Sequence, residues 1–153
     1  MKDTVKKMLI ERGVKIEDIA KLVYFLQSKY YAITLEECIS SVNRVLEKRE
    51  VQNAILTGIA LDILAEEDKL DEPLLSILKR DEPLYGIDEI MALSITNIYG
   101  SIGLTNFGYL DKVKIGVLKS LNVKGPQVHT FLDDLVAGIA AAASARIAHS
   151  KSG

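Results

Sequence analysis

The sequence predicts an all-α protein, a compact single-domain bundle of roughly six to eight helices around one buried central helix. Three observations support this prediction. Apolar residues recur at helical spacing through the N-terminal half, no alternating strand pattern of useful length occurs, and a segment near the C terminus is apolar on every side. A chain of 153 residues, 48% of them hydrophobic, can build one sizeable core but hardly two.

Two amphipathic segments should form the N-terminal part of the bundle. In the first, IEDIAKLVYFLQSKYY, one stripe contains Ile16, Ile19, Leu22, Val23 and Leu26. The second covers residues 34 to 67 and opens with a capping box formed by Thr34 and Glu37. We expect this long segment to break near residues 49 to 51, because the polar run EKRE interrupts its apolar phase.

Short helices joined by turns should follow. Residues 71 to 86, DEPLLSILKRDEPLYG, contain Asp-Glu-Pro twice and end on a glycine, which is typical of such connections. The last helix should be the central one, because residues 135 to 145, LVAGIAAAASA, are apolar all round. We therefore take residues 1 to 149 as one domain and residues 150 to 153 as a flexible tail.

Charge and composition argue against several classes of protein. The formal net charge of −2 creates no overall basic field, so we expect no nucleic-acid partner. The single cysteine, Cys38, cannot form an internal disulfide and shares helical spacing with Val42 and Val45, which predicts a buried thiol in a reducing compartment. The N terminus has charges scattered through what a targeting segment would need as an apolar stretch. We expect a cytoplasmic protein.

Two long uncharged stretches are not expected to cross a membrane. Residues 90 to 110 reach the length of a span, about 20 residues, but they contain Asn97, Asn106 and three glycines. Residues 135 to 145 are too short. Both should be interior segments, so we expect the protein to purify without detergent. A homo-oligomer is one possible state of the purified protein.

Two pairs of adjacent acids open these stretches. Asp88 and Glu89 precede the first, and Asp133 and Asp134 precede a run that stays uncharged until Arg146. Acids in a first helical turn can simply offset the helix dipole, by about 0.3–1 kcal/mol. Two such pairs at the border of a core are harder to explain that way, because a partly buried carboxylate is costly unless it is paired or metal-bound. Lysines could pair some of them, and Mg²⁺ could pair them all.

A local basic segment lies between the two acid pairs. Residues 112 to 132 contain no acid and four lysines, namely Lys112, Lys114, Lys119 and Lys124. A solvated helix face is one interpretation, and a surface that binds an anion is the other. Acids that hold a metal beside lysines that hold phosphate are what metal-assisted phosphoryl hydrolysis requires. The residues themselves predict this reaction class and no specific substrate.

Three motifs in this order carry a resemblance to a known family. The segments IDEIMALSIT, YLDKVK and FLDDLVAGIAAA resemble the Asp-Glu, Leu-Asp-x-x-Lys and Asp-Asp-hydrophobic-Val-Ala-Gly motifs of the phosphatidylglycerophosphatase A family. The segment ILTGIALDILAEE is similar to the short soluble, low-temperature-requirement C protein-like branch. The resemblance implies an all-helical fold around one central helix. It also implies a Mg²⁺-dependent phosphatase that removes the terminal phosphate from phosphatidylglycerophosphate.

The resemblance further implies roles for individual residues. The metal ligands would be Glu89, Asp133 and Asp134. Asp88 and Asp111 would orient these ligands or add one, and Lys114 would contact the phosphate. The partner would be a phosphorylated substrate, a phospholipid at the membrane surface, which would bring a cytoplasmic protein to the inner face of the membrane.

Some interpretations stay open. His129 precedes Asp133 by four residues and could pair with it on a helix as a proton donor, but we favour a cap or loop histidine. Asp62 interrupts an apolar face and could join the site from another helix, but we favour an exposed acid. The competing function is a non-catalytic helical binding or regulatory protein that retains the fold.

Overall fold

The computed structural model describes residues 1–123 and 125–152, apart from the side chains of residues 101, 102 and 152. These residues form helices and no strand, which confirms the all-α prediction. The nine α-helices are α1 (Lys2–Glu11), α2 (Ile16–Gln27), α3 (Leu35–Val45), α4 (Arg49–Glu66), α5 (Leu74–Arg80), α6 (Ile87–Thr96), α7 (Ser101–Val113), α8 (Val117–Leu121) and α9 (Leu132–Ser152). The described helices slightly outnumber the predicted six to eight: α5 lies in the segment where short helices were expected, and the five-residue α8 was not predicted.

The N-terminal helices form as their patterns predict. The stripe of α2 is buried, and the hydroxyl of Thr34 caps α3 by accepting the backbone N–H of Glu37 at 3.1 Å. The break in the long segment falls at residues 46 to 48, slightly before the predicted position, and the Gln52 side chain donates to the carbonyl of Leu46 there at 2.8 Å. Cys38 is a core thiol, and burial, followed by the charge of Glu37, raises its pKa to about 11.

The central helix is α9. Residues 130 to 145 are all buried, and α9 packs against α2, α3, α4, α6, α7 and α8. Small residues permit this close packing, since a Cβ at Gly138 would lie 3.1 Å from the carbonyl oxygen of Ala92 in α6. Any polar group at the start of α9 is therefore surrounded by other helices, which determines the environment of Asp133 and Asp134.

Two predicted segments, the C-terminal tail and the basic segment, each include one residue that the structure does not describe. Residues 150 to 152 are the last residues of α9, whereas Gly153 is outside the description, as is Lys124 of the four lysines. Among the described residues, no helix has the length and apolarity that are needed to cross a bilayer.

Candidate active site

The six predicted site residues line one cleft of about 280 Å³. It lies where the first turns of α6 and α9 approach the last turn of α7. The described walls are Asp81, Glu82, Pro83, Leu84, Tyr85, Asp88, Glu89, Asp111, Lys114, Asn122, Asp133 and Asp134. Residues from three helices that are separated in sequence therefore converge, as the two acid pairs and the basic segment suggested.

The two acid pairs have the same local geometry. In α6, Oδ1 of Asp88 accepts the backbone N–H of Glu89 at 3.0 Å, and in α9, Oδ1 of Asp133 accepts the backbone N–H of Asp134 at 2.8 Å. Each first acid thus satisfies a free N–H at the start of its own helix. The dipole interpretation explains this contact, but it does not explain why Asp133 and Asp134 are each only 5% exposed.

Lys114, which directly follows α7, links that helix to α9. Its Nζ lies 2.7 Å from Oδ1 of Asp111 and 3.2 Å from Oδ2 of Asp133. Although burial by itself lowers the pKa of the ammonium, the carboxylates of Asp133 and Asp111 raise it above the ordinary lysine value. Lys114 is therefore a fixed positive charge inside the cleft.

Among the described walls of the cleft, seven acidic side chains accompany one ammonium group, that of Lys114. Burial raises the pKa of Asp133, against the lowering effect of Lys114, and Asp81 raises it further. Burial also raises the pKa of Asp134, to which the charge of Asp133 and a hydrogen bond with Asp88 add. Both carboxyls consequently hold protons more tightly than exposed aspartates do. Additional positive charge in the cleft would stabilise their ionised forms.

The donor set fits a hard cation that is held by few protein ligands. Within the described residues, no group of three or more His, Cys, Asp or Glu side chains is arranged as a metal site, so Glu89, Asp133 and Asp134 do not form a ready three-ligand group. They nevertheless supply only oxygen donors, and Mg²⁺ is commonly bound through one or two carboxylates plus waters and substrate phosphates. The excess of carboxyl groups over positively charged side chains among the described walls is the observation that favours this kind of site.

The start of α9 is held by Asp62 of α4. Its two carboxylate oxygens accept the backbone N–H groups of Phe131 and Leu132, each at 3.0 Å. Burial raises the Asp62 pKa to about 7, although these two hydrogen bonds act in the opposite direction. The expectation that Asp62 is exposed is therefore wrong, because its backbone partners lie almost seventy positions further along the chain and cover it. Asp62 is not a wall of the cleft, but it supports the turn before Asp133.

A family model described as Phosphatidylglycerophosphatase A matches residues 8–149. The chain belongs to the phosphatidylglycerophosphatase A family. This membership confirms the family resemblance and supports a phosphatidylglycerophosphatase-like role for the chain. The uncharacterized protein YutG of Bacillus subtilis (strain 168) is 60% identical over 151 residues, which cover 97% of this chain and 91% of that protein.

Solved structures agree with this family assignment. The crystal structure of the low temperature requirement C protein from Listeria monocytogenes is 58% identical with a TM-score of 0.97, and the match covers 99% of this chain and 97% of that one. A protein of unknown function from Bacillus stearothermophilus is 63% identical with a TM-score of 0.96, covering 98% and 94% of the two chains. This phosphatidylglycerophosphatase A family member thus shares its fold with both proteins over at least 98% of its length.

Hydrogen bonds from Arg12 and Glu66 also hold the segment just before α9 in this family member. Glu66 accepts from Arg12 at 2.9 Å and from the backbone N–H of Val128 at 2.8 Å, while Arg12 donates to the carbonyl of Val128 at 2.7 Å. His129 follows in the loop, as we favoured, and its backbone carbonyl accepts the N–H of Asp133 at 3.3 Å. Burial, followed by the charge of Arg12, lowers the pKa of His129, so its ring is neutral near pH 7.

Six further described walls of the cleft were not predicted from the sequence, and three of them, Asp81, Tyr85 and Asn122, carry polar side chains from separate points of the loops. Asp81, Tyr85 and Asn122 line the cleft from loops, where the helical patterns used for the prediction do not apply. Asp81 also borders a neighbouring cavity of about 360 Å³, which shares Asp133 and Asn122 with the cleft. A signal was available, because Asp81 and Glu82 form another adjacent-acid pair seven positions before Asp88.

Proposed function

We propose that this chain is a Mg²⁺-dependent phosphatase that hydrolyses a phosphomonoester. Its substrate would be phosphatidylglycerophosphate, and its products phosphatidylglycerol and inorganic phosphate. The observation that supports this best is the convergence of the six predicted residues on one cleft in a phosphatidylglycerophosphatase A family member. They are Asp88, Glu89, Asp111, Lys114, Asp133 and Asp134.

The proposed roles follow from position and charge. Glu89, Asp133 and Asp134 would hold the cation from two facing helix starts. Asp88, which is hydrogen-bonded to the Glu89 backbone and to Asp134, would orient those ligands. Asp111 would direct the ammonium of Lys114, whose Nζ lies 2.7 Å away, toward a phosphoryl oxygen.

The chemistry needs charge compensation and little else from the protein. Water must add to phosphorus, the ester P–O bond must break, and the leaving oxygen must end as the hydroxyl of the alcohol. A bound divalent cation supplies neutralisation of the phosphoryl charge and activation of water. Lys114 adds a further positive charge, and the carboxylates of Asp111 and Asp133 keep its ammonium protonated and in the cleft.

A phospholipid substrate also determines where the protein works. Since no described helix can cross a bilayer, the chain would reach its substrate from the membrane surface. We place it in the cytoplasm, acting at the inner face of the membrane.

A phosphate-release screen tests the proposal. Phosphatidylglycerophosphate in detergent micelles and small phosphomonoesters should be offered with Mg²⁺ and with chelator, to the parent, to Asp133→Asn and to Asp3→Asn. Asp3 is an acid in the first turn of α1 and provides a control for the loss of one such charge. We expect Mg²⁺-dependent release by the parent and by Asp3→Asn, and a loss of at least about 100-fold in Asp133→Asn.

Absence of release from every ester by the folded parent would contradict the proposal. That outcome would favour the non-catalytic binding protein that keeps the same fold.

A further inference from the structure

Two carboxylates of α4 hold the backbone that leads into the central helix. Asp62 and Glu66 are four positions apart, so they lie on one face of α4. Glu66 accepts the backbone N–H of Val128 at 2.8 Å. Asp62 accepts the N–H groups of Phe131 and Leu132, each at 3.0 Å. One face of α4 therefore holds both ends of the short stretch that leads into α9.

This stretch, which we define as the entry segment of residues 128 to 132, is also held from two other sides. The guanidinium of Arg12 donates to the carbonyl of Val128 at 2.7 Å and to the carboxylate of Glu66 at 2.9 Å. The backbone of Val128 is therefore bonded at both its N–H and its carbonyl. In the middle of the segment, the hydroxyl of Thr130 donates to a backbone carbonyl of α5 at 2.6 Å. The entry segment is thus fixed along its length where α9 begins.

The first turn of α9 continues directly from the entry segment. The N–H of Asp133 donates to the carbonyl of His129 at 3.3 Å, and the N–H of Leu135 donates to the carbonyl of Phe131 at 3.0 Å. These are the ordinary bonds of an α-helix, in which each residue donates to the fourth residue before it. Because they join the segment and the turn, a shift of the segment would move the side chains of Asp133 and Asp134 with it. The direction of both acids in the cleft is therefore set from outside the cleft.

The carboxylate at Asp62 serves position rather than stability. Its side chain is fully buried, and this burial raises its pKa, to which the charge of Asp133 adds. An acid is therefore costly here, and a hydroxyl or an amide would avoid the cost. Each of those groups has only one acceptor oxygen, whereas a carboxylate has two. Asp62 uses both for adjacent N–H groups, so it fixes the orientation of the entry segment as well as its place.

We propose that Asp62 and Glu66 are positioning residues of the cation site. Through the entry segment they hold Asp133 and Asp134 in the orientation from which these acids bind a divalent cation, and they touch neither the cation nor the substrate. The proposal rests on the proposed function for the cation, and on the hydrogen bonds of the entry segment for the positioning. Replacement of residues that orient metal ligands in this way typically weakens metal binding by about 10–100-fold.

Titration calorimetry with Mg²⁺ alone tests the positioning without turnover. The probes are the parent, Asp62→Asn, Glu66→Gln and a control, Val45→Ala, each at a temperature at which circular dichroism shows it to be folded. Asp62→Asn keeps the size of the side chain but offers one acceptor oxygen to two N–H groups. Glu66→Gln keeps an acceptor for Val128 but loses the charge that pairs with Arg12.

The control separates positioning from a general loss of stability. Val45 is a fully buried residue of α3 and is not among the described walls of the cleft. Its truncation leaves a cavity in the core and should lower the melting temperature. We expect the Kd of Val45→Ala for Mg²⁺ to stay at the parent value.

Both test variants should bind Mg²⁺ more weakly than the parent. We expect the Kd to rise by about tenfold or more in Asp62→Asn, and by less in Glu66→Gln, which keeps one acceptor. A Kd at the parent value in either variant would overturn the role of that residue. An equal rise in Val45→Ala would overturn the proposal, because lost stability would then explain the effect. If Asp62→Asn does not fold, the Kd of Glu66→Gln decides in the same way.

Phosphate release separates this proposal from the proposed function. A parent that binds Mg²⁺ but releases no phosphate contradicts the phosphatase and leaves the positioning result standing. A parent that binds Mg²⁺ and releases phosphate, beside test variants with the parent's Kd, contradicts the positioning alone. A parent that binds no Mg²⁺ contradicts the cation site itself, and with it both proposals.

Discussion

The Nζ atom of Lys114 lies 3.2 Å from Oδ2 of Asp133, so one ion pair joins the end of α7 to the start of the central helix. Asp133 is buried, with its side chain 7% exposed, whereas the Lys114 side chain is 30% exposed. The ammonium can therefore meet a ligand from the cleft while it still balances a largely buried carboxylate. This contact connects the stability of the fold with the charge of the site.

Replacement of Lys114 by methionine should lower both the stability of the fold and the phosphatase activity. Without the ammonium, Asp133 and Asp111 lose their partner, and we expect a loss of about 1–2 kcal/mol in the free energy of unfolding at neutral pH, reduced by the partial exposure of the lysine. Activity should fall by about 100-fold or more, since a cation aimed at the phosphoryl group is lost. Denaturant unfolding and phosphate release measure the two effects.

The matched control is Lys112→Met, which removes an exposed lysine two positions earlier. Its stability and activity should stay close to those of the parent. Equal losses in both variants would show that net charge, rather than the contacts of Lys114, is responsible.

Stability should depend on pH in a direction that exposed aspartates would not produce. The pKa values of Asp62, Asp133 and Asp134 are all raised, chiefly by burial, and that of Asp62 is about 7 against an ordinary value of 3.8. The folded state then binds protons more tightly than the unfolded state, so stability falls as pH rises through the window between these values. His129, whose pKa is lowered, acts in the opposite direction but is a single group.

Thermal melts in chelator check this expectation. Between about pH 5 and about pH 8 the melting temperature should fall, corresponding to a loss of about 1–3 kcal/mol. The lowered pKa of Glu66, which results first from its hydrogen bond with Arg12, affects stability only at more acidic pH. A melting temperature that is constant or rises across this range would contradict the raised pKa values.

Asp62 should be one of the most sensitive polar positions of the fold. Asp62→Ala leaves the buried N–H groups of Phe131 and Leu132 without their acceptor, and each such group costs about 1–3 kcal/mol. We expect a loss of about 2–4 kcal/mol by chemical denaturation. Thr57→Ala, on the same helix, removes only a hydroxyl that is bonded to the carbonyl of Asn53, and should cost below about 0.5 kcal/mol. Similar small losses in both variants would contradict the supporting role of Asp62.

Two glycines of α7 should respond oppositely to alanine. A Cβ at Gly103 would lie 2.5 Å from the backbone carbonyl oxygen of Thr96, which cannot move aside easily, whereas a Cβ at Gly108 meets nothing within 4 Å. Gly108→Ala should stabilise by about 0.5–1 kcal/mol through better helix propensity, and Gly103→Ala should destabilise by about 1–3 kcal/mol. Equal shifts in the two melting temperatures would contradict the close packing of α6 and α7.

The predictable part of the site is the part that follows a helical pattern. Asp88, Glu89, Asp133 and Asp134 could be found because adjacent acids before an uncharged run mark the start of a buried helix, whatever the partners are. The basic segment suggested Lys114 only as one of four lysines, and Asp111 was suggested through the resemblance alone, since an isolated i, i+3 pair occurs on many surface helices.

The remaining residues in and around the site are positioned by contacts between segments that are distant in sequence. Asp62 looks like an exposed acid in its own helix, and only the packing of the turn before α9 onto it makes it a buried acceptor. Asp81, Tyr85 and Asn122 are in loops, whose conformation has no periodicity to detect. The helix α8 was not predicted because its five residues are too few to show a clear pattern, whereas α5 lies in the segment where short helices were expected.

The response of Asp134→Asn to Mg²⁺ tests the central claim, that the cleft is a carboxylate site for a cation. The substitution keeps the shape and removes one carboxyl group from a set of neighbouring acids whose joint ionisation is costly in a poorly solvated place. In chelator the variant should melt at the same or a higher temperature than the parent. A ligand stabilises only through its preference for the folded state, by about 2.7 kcal/mol at 100 times its Kd, and the variant should lose most of that gain.

Parent, Asp134→Asn and Asp3→Asn should be melted in chelator and in excess Mg²⁺. Asp3→Asn removes a first-turn acid of α1 far from the cleft in sequence, so it should lose a few tenths to about 1 kcal/mol in chelator and keep the full Mg²⁺ shift. We expect Asp134→Asn to behave in the opposite way on both counts. An Asp134→Asn variant that is destabilised in chelator and keeps the full Mg²⁺ shift would contradict a cation site at Asp134.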